Sequence, residues 1–195
     1  CVASMPHLAA LQNEYAPKGV QIISISDEDL ETVEKFLERP VRGSGEEGAD
    51  AEPQTYRQLT SAYCLTTDPD QSSAEDYMRA AGQNGIPTSF IVGKDSKIEW
   101  IGHPMELDGT LAAVVNGSWD REAFAKEFKA QQEAERAMQE IFALLQNEDF
   151  DGALKLIDAT IAKTDKTELK MLKLQVLLAA KKMEQAVEHL QAMYT

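Results

Sequence analysis

Two cysteines are the residues of this chain with the clearest capacity for chemistry. Cys1 opens the sequence and Cys64 follows 63 positions later. The three histidines, His7, His103 and His189, are scattered, so no metal-ligand spacing is present, and we expect no metal and no other cofactor. Two cysteines are also too few for a disulfide-stapled scaffold. Any function of these thiols must therefore be argued from their local surroundings.

The composition narrows the class of partner. The chain has 195 residues, 43% of them apolar, which supplies a core for one large or two small domains. Its 19 basic and 33 acidic residues give a net charge of -14, which repels phosphate backbones and argues against nucleic-acid binding. The longest apolar stretches, residues 20–25 and 172–180, are shorter than the roughly 20 residues of a bilayer span. We expect protein partners and no integral membrane segment.

The elements that must position the cysteines alternate between helix and strand. Leu8, Leu11 and Tyr15 recur at helical spacing and predict a helix over residues 2–16. Residues 20–26 are β-branched and apolar, as in a strand buried on both faces. The same reasoning predicts a helix at 30–37, a strand at 61–67 and a helix at 73–81.

Two further segments complete this first part. Residues 40–53 are rich in Gly, Glu, Ala and Asp, so we predict a mobile surface loop whose acidic side chains are solvated. Residues 88–92 and 97–101 flank a turn and predict an antiparallel hairpin, with a helix at 107–115. Strands that alternate with helices and finish in a hairpin predict an α/β sandwich.

The character of the chain changes after Trp119. Between residues 121 and 193 there is one glycine, Gly152, and no proline, and the periodicity is helical throughout. Apolar residues recur at an offset of 33, for example Ile141 with Leu174 and Ala153 with Ala186. This offset is close to the period of about 34 residues of tetratricopeptide repeats. We predict two domains, residues 1–118 and 119–195, the second built from a leading helix at 121–140 and two helical hairpins.

Two motifs carry a resemblance to a known family. Cys1-Val-Ala-Ser-Met-Pro-His-Leu resembles the stretch after the vicinal motif of TlpA-like and ResA-like thioredoxin-fold proteins, in which the second cysteine stands five residues before a proline. The run from Gly85 to Gly102 is similar to the family's Gly-x-Pro-Thr followed by a hairpin and a closing glycine, with Pro87 as the cis-proline. The resemblance covers residues 1 to about 118 and implies a thioredoxin-like three-layer sandwich.

The resemblance also implies a function. The family consists of extracytoplasmic thiol–disulfide oxidoreductases, so Cys1 would be the resolving cysteine of a redox-active pair. Ile86, Pro87 and Thr88 would dock a substrate peptide along a backbone edge. The partner would then be a protein that carries a disulfide or a dithiol. The helical domain would offer a second surface for a peptide or a protein.

The chain departs from the family at its start. Family members place a central parallel strand, ending in Trp-Cys-x-x, immediately before the position of Cys1. Without that strand the nucleophilic cysteine is missing, and the sheet has two strands on either side of a gap. We therefore expect an amino-terminally truncated chain, or another segment that supplies the strand. Two sheets joined directly would contradict this expectation.

The remaining candidates have simpler interpretations. We expect Cys64 to be a buried structural thiol and His7 an exposed histidine on a helix face. We expect His103 to be structural, and the aromatic residues to pack in the core or near the domain junction. Cys1 also fits a processed lipoprotein terminus, although its spacing to Pro6 favours the redox interpretation.

The sequence is compatible with a second function and argues against a third. A non-catalytic interaction protein would use the thioredoxin-like part as a platform and would need no cysteine before Cys1. A peroxiredoxin-type peroxidase would need a Pro-x-x-x-Thr/Ser-x-x-Cys run, which the chain lacks. Whether the protein is an enzyme therefore depends on whether a nucleophilic cysteine stands three residues before Cys1.

Overall fold

The structure is a computed structural model that describes residues 1–41, 53–164 and 167–193. The chain divides into two compact units, Cys1–Arg121 and Glu122–Thr195. The first unit is mixed α/β, and the second is helical. The predicted loop at 40–53 falls mostly on residues 42–52, which lie outside the described residues.

The first unit begins with a helical segment and a short parallel sheet. A 3₁₀ turn, Val2–Ser4, leads into α1, Met5–Tyr15, which presents Ala9, Leu11 and Tyr15 to the core. Strand β1, Ile23–Ser26, pairs in parallel with β2, Cys64–Thr67. Between them, α2 spans Leu30–Leu37, as predicted, and α3 spans Tyr56–Thr60.

Strand β1 is shorter than the predicted strand because a buried side chain binds the residues before it. The Gln12 amide donates from Nε2 to the Val20 carbonyl at 3.1 Å, and its Oε1 accepts from the Ile22 N–H at 2.5 Å. Gln12 is only 4% exposed. The Val20 carbonyl and the Ile22 N–H therefore bond to a side chain of α1, and the ladder with β2 begins only at the next residue, Ile23.

A second, antiparallel sheet follows a π-helical segment, Ala74–Arg79. Strand β3, Ser89–Val92, pairs with β4, Ile98–Gly102, as the predicted hairpin requires, and the register shifts between Ile91 and Val92. Gly102 is the last residue of β4 and lies against the ring of the buried Trp100. A Cβ added at Gly102 would lie 2.2 Å from Cζ2 of the Trp100 ring, so only glycine fits there without movement.

The two sheets stay separate in the described part of the chain. Each has two strands, β1–β2 and β3–β4. If the two sheets were paired directly, the expectation of a missing central strand would be contradicted. No such pairing occurs among the described residues. Helix α4, Leu107–Asn116, follows the hairpin and buries Leu107 and Leu111.

The described residues of the second unit form four helices. They are α5, Arg121–Gln146, α6, Phe150–Thr164, α7, Thr167–Ala179, and α8, Met183–Met193. Ile141, Ile157 and Leu177 are almost completely buried at its centre. The predicted separate leading helix at 121–140 is wrong. Because the sequence holds no glycine or proline between 121 and 146, α5 continues through as one helix of 26 residues.

The helical hairpins repeat their geometry every 33 residues. Helix α5 ends at Gln146 and α7 at Ala179, and α6 begins at Phe150 and α8 at Met183. The two turns carry positive φ angles at Glu148 (59°) and Lys181 (57°). They also share hydrogen bonds: Asp149 N–H donates to the Leu144 carbonyl at 2.9 Å, and Lys182 N–H donates to the Leu177 carbonyl at 2.9 Å. The sequence offset is therefore a repeat of backbone structure.

Candidate functional site

Cys1 lies at the amino-terminal end of the helical segment that leads into α1. Cys1 is exposed, and its thiol is free. Its carbonyl oxygen accepts two hydrogen bonds from the buried Ser4, from N–H at 3.0 Å and from Oγ at 2.7 Å. Pro6 occupies the first turn of α1, where a missing N–H costs no hydrogen bond. The spacing of Cys1 to Pro6 thus places an accessible thiol at the start of the helical segment that leads into α1.

His7 follows Pro6 in α1, and its side chain is more buried than the sequence analysis predicts. Its side chain is 23% exposed, and its Nε2 lies 2.9 Å from Oδ2 of Asp108 in α4. That nitrogen is buried and makes no hydrogen bond of good geometry, so the two groups are close but poorly aligned. His7 is therefore half-buried rather than exposed as expected, and the Asp108 carboxylate of α4 lies beside its ring.

The predicted docking residues form a short segment before β3. The Ile86–Pro87 peptide bond is cis. The Ile86 side chain is 71% exposed, the largest exposed fraction among the exposed large apolar residues described. Thr88 Oγ1 donates to the Gly85 carbonyl at 2.7 Å, which closes the segment into a tight turn. The arrangement presents an apolar side chain to solvent at the entry of the hairpin.

The expectation that Cys64 is buried is wrong. Cys64 pairs with Ile23 and Thr66 with Ile25 across the parallel ladder, so these four residues share one face of the sheet. That face is exposed: Ile23 is 57% and Ile25 is 49% accessible. The other face carries Leu65, which packs on the cluster of Val33, Leu37 and Tyr56. The alternation of the strand therefore turns the thiol away from the core.

The remaining candidates have structural roles. His103 accepts the Met105 N–H on Nδ1 at 3.2 Å and so caps a short 3₁₀ turn, as expected of a structural histidine. Trp100 is buried, and Phe90 makes an edge contact with Tyr77 at 5.3 Å. Trp119 donates from Nε1 to the Glu99 carbonyl at 2.9 Å. These contacts hold the end of the first unit against its hairpin.

Arg121, Asp95 and Glu99 form a charged cluster that the sequence did not predict. Arg121 places Nη1 2.9 Å from Oδ2 of Asp95 in the hairpin turn and 3.1 Å from Oε1 of Glu99. The hydrogen bonds from Arg121 lower the pKa of the Asp95 carboxyl, and the Lys97 N–H contributes in the same direction. The partners are separated by 26 and 22 residues, so no local pattern in the sequence indicates them.

A separate groove lies within the second unit. It has a volume of about 490 Å³ and opens to solvent. His189 Nε2 lies 2.8 Å from the Lys170 carbonyl at its edge. Helices α6, α7 and α8 supply its lining: Leu154, Asp158, Lys173, Leu177, Gln185, Glu188, His189 and Ala192. Of these residues the sequence analysis names only His189, as one of three scattered histidines.

Comparison with known proteins decides the family. The model of the AhpC/TSA family matches residues 1–101, which include Cys1, Pro6 and the segment from Ile86 to Thr88. This match spans more than half of the chain. The chain belongs to the AhpC/TSA family. No curated protein and no solved structure gives a significant match.

Membership of the AhpC/TSA family brings a thioredoxin-like fold and indicates thiol peroxidase or oxidoreductase chemistry in general. The helical unit lies beyond the matched residues. Within the described residues, no helix is long and apolar enough to cross a bilayer. In the same residues, no three side chains of metal-ligating type come together as a metal site.

Proposed function

We propose that this AhpC/TSA-family protein is a thiol–disulfide oxidoreductase of the TlpA and ResA kind that acts on protein substrates. The observation that carries the proposal is the exposed thiol of Cys1 at the start of a helical segment, with Pro6 in the following turn. A thiol in this setting is stabilised as a thiolate and is open to a partner sulfur. In this proposal Cys1 is the resolving cysteine.

The reaction needs a nucleophilic cysteine three residues before Cys1, supplied by an upstream segment. Its thiolate attacks a disulfide of the substrate, forms a mixed disulfide and releases one substrate thiolate, which takes a proton. The Cys1 thiolate then attacks the enzyme sulfur of the mixed disulfide. The second substrate thiolate leaves, and the enzyme pair becomes a disulfide. An external dithiol returns the two electrons to the enzyme for the next cycle.

The same segment would complete the sheet. Strand β1 pairs only with β2 among the described residues, and the β3–β4 hairpin stands apart. A strand between them would satisfy backbone donors and acceptors at both edges. The result would be a thioredoxin-like three-layer sandwich with the active cysteines at the end of its central strand.

The substrate would dock at Ile86, Pro87 and Thr88. Ile86 is 71% exposed, and such an apolar side chain beside a backbone edge suits an extended peptide that adds as a strand. We propose an extracytoplasmic setting on the basis of the family resemblance, because structural and substrate disulfides persist in oxidising compartments. Fractionation of cells that make the protein from its natural gene tests this location.

The function is tested on the chain extended by its naturally encoded upstream residues. Insulin reduction by dithiothreitol should be accelerated, and Cys1→Ser should stop turnover and accumulate a mixed disulfide with the substrate. Cys64→Ser is the matched control, because Cys64 is also exposed but lies in strand β2, and this variant should retain turnover. Equal loss in both variants, or no acceleration by the extended chain, would refute the proposal.

An assay with hydrogen peroxide distinguishes the two chemistries of the family, which are peroxide reduction and thiol–disulfide exchange. The run that ends at Cys64 has Ser61 at the Ser/Thr position of the peroxidatic motif, but Arg57 stands where that motif has proline. Cys64 also lies in a strand rather than at a helix amino terminus. We therefore expect the extended chain to consume hydrogen peroxide no faster than free cysteine. Rapid consumption that Cys64→Ser abolishes would make the protein a peroxidase.

A second candidate function is a non-catalytic interaction protein. The groove of about 490 Å³ between α6, α7 and α8 and the 33-residue repeat of the hairpins favour it, since TPR-like units bind peptides on such surfaces. This function needs no cysteine before Cys1. Partner capture that survives Cys1→Ser, combined with an inactive extended chain, would favour it.

A further inference from the structure

Two asparagines of this chain are followed by glycine, and they differ in their backbone surroundings. They are Asn84, before Gly85, and Asn116, before Gly117. An asparagine loses its side-chain amide when the backbone nitrogen of the next residue attacks Cγ, and glycine favours this attack because it has no Cβ to obstruct it. Both asparagines are exposed, so exposure alone does not distinguish them.

The backbone around Asn84 leaves the attacking nitrogen accessible. Asn84 lies in an irregular segment between the π-helical segment and β3. Among the described residues, neither the Gly85 N–H nor the Asn84 side-chain amide has a hydrogen-bond partner. The Gly85 carbonyl accepts from Thr88 Oγ1 at 2.7 Å, and a Cβ built at Gly85 would meet no atom within 4 Å. The Asn84 side chain is therefore free to turn towards the Gly85 nitrogen.

The backbone around Asn116 opposes the same reaction. Asn116 is the last residue of α4, and Gly117 follows it with a positive φ of 72°. The Gly117 N–H donates to the Val114 carbonyl at 3.2 Å. This hydrogen bond holds the nitrogen at the helix end, so attack on Asn116 requires the last turn of α4 to open.

We propose that Asn84 is a site of spontaneous deamidation. The Gly85 nitrogen loses its proton and attacks Cγ of Asn84, the bond from Cγ to the side-chain nitrogen breaks, and that nitrogen takes up a proton and leaves as ammonia. Water then opens the cyclic imide. Opening at Cγ gives aspartate, and opening at the backbone carbonyl gives isoaspartate. No electrons are exchanged, and water is the only co-reactant.

The product changes the segment that precedes Ile86. It adds one negative charge to a chain whose net charge is -14. In the isoaspartyl form it also lengthens the backbone by one methylene group, two residues before Ile86. Ile86 docks the substrate under the proposed function, so an effect on docking rests on that proposal. The deamidation itself does not depend on it.

The test is made on the 195-residue chain, incubated in mildly alkaline buffer, digested and mapped by mass spectrometry against an unincubated sample. The peptide that holds Asn84 should gain about 1 Da and separate into aspartyl and isoaspartyl forms, while the peptide that holds Asn116 stays unchanged over the same time. In denaturant both peptides should gain this mass at similar rates, because α4 no longer protects Asn116.

Matched variants separate the chemistry from general surface decay. Gly85→Ala should slow the reaction at Asn84 about tenfold, because the methyl group crowds the attacking nitrogen. This substitution suits the fold, since Gly85 has open space and its φ lies outside the left-handed region. Asn116→Gln is the control and should leave the rate at Asn84 unchanged. No mass gain at Asn84 in the native chain, or an equal gain at Asn84 and Asn116, would overturn the proposal.

Discussion

The side chain of Gln12 in α1 accepts the backbone N–H of Ile22 at 2.5 Å and, through its amide nitrogen, donates to the Val20 carbonyl at 3.1 Å. A buried amide thus joins the helix that follows Cys1 to the strand that opens the parallel sheet. Because Gln12 is 4% exposed, water cannot replace these contacts. This side chain therefore helps to fix α1, the helix that follows Cys1, against the start of the parallel sheet.

Gln12→Leu should destabilise the chain by about 1–3 kcal/mol, since it leaves buried backbone groups without partners. The measurement is equilibrium unfolding in urea. Asn13→Ala, the neighbouring exposed position, should change the free energy of unfolding by less than about 0.5 kcal/mol. Equal effects of the two substitutions would mean that the Gln12 contacts contribute nothing.

Gly102→Ala should destabilise the hairpin by about 1–3 kcal/mol, because the new methyl group meets the buried Trp100 ring. Gly109→Ala in α4 is the matched control. A Cβ at Gly109 has nothing within 4 Å, and alanine is favoured over glycine in a helix by about 0.5–1 kcal/mol, so this variant should be neutral or more stable. Thermal unfolding, with tryptophan fluorescence as the signal, measures both changes.

Asp95→Asn should lower the melting temperature at neutral pH but not in acid. The pKa of Asp95 is lowered in the folded chain by its hydrogen bonds from Arg121, so its contribution is present above the unfolded pKa of about 3.9. That contribution is lost as the pH falls through the lower folded value. The difference between wild type and variant should therefore shrink below about pH 4. A difference that stays constant down to pH 2 would contradict the assignment, and Asp27→Asn controls for general surface charge.

Both thiols should react with Ellman's reagent in the native chain, because Cys1 and Cys64 are free and exposed. Cys1→Ser and Cys64→Ser should each leave one reactive thiol. We expect Cys1 to react faster, since it precedes a helix whose dipole favours the thiolate. A native chain with one reactive thiol would mean that Cys64 is covered.

Ile86→Asp should raise the KM for a protein disulfide in the extended chain about fivefold or more, with little change in kcat, because it removes an apolar docking contact rather than a reacting group. Stability should be unaffected, since Ile86 is 71% exposed. Val92→Asp is the comparison at an exposed apolar position in the hairpin that follows Ile86; Val92 is 46% accessible, and its substitution should leave KM unchanged. Equal effects in both variants would argue against docking at Ile86.

Local patterns in the sequence predicted the elements that depend on near neighbours. Helix α2 has the predicted bounds because its Asp29 cap and its apolar spacing are both local. The hairpin and the 33-residue repeat were also visible, since their turns are set by residues within a few positions. The same is true of the helix start that holds Cys1 and Pro6. The motifs also indicated the broader thioredoxin-fold family, which the match over residues 1–101 supports.

Only the tertiary structure decided which faces are covered and which distant groups meet. The alternation of β2 indicates two faces but not which one is buried, and packing of Leu65 on the cluster around Val33 turns Cys64 outward. The Arg121–Asp95 pair joins residues 26 positions apart. Met183, Val187 and Leu190 on α8 are exposed, whereas Leu154 and Ile157 at the corresponding positions of α6 are buried. Burial and long-range pairing depend on how the helices and strands pack against one another. A local pattern in the sequence does not contain this information.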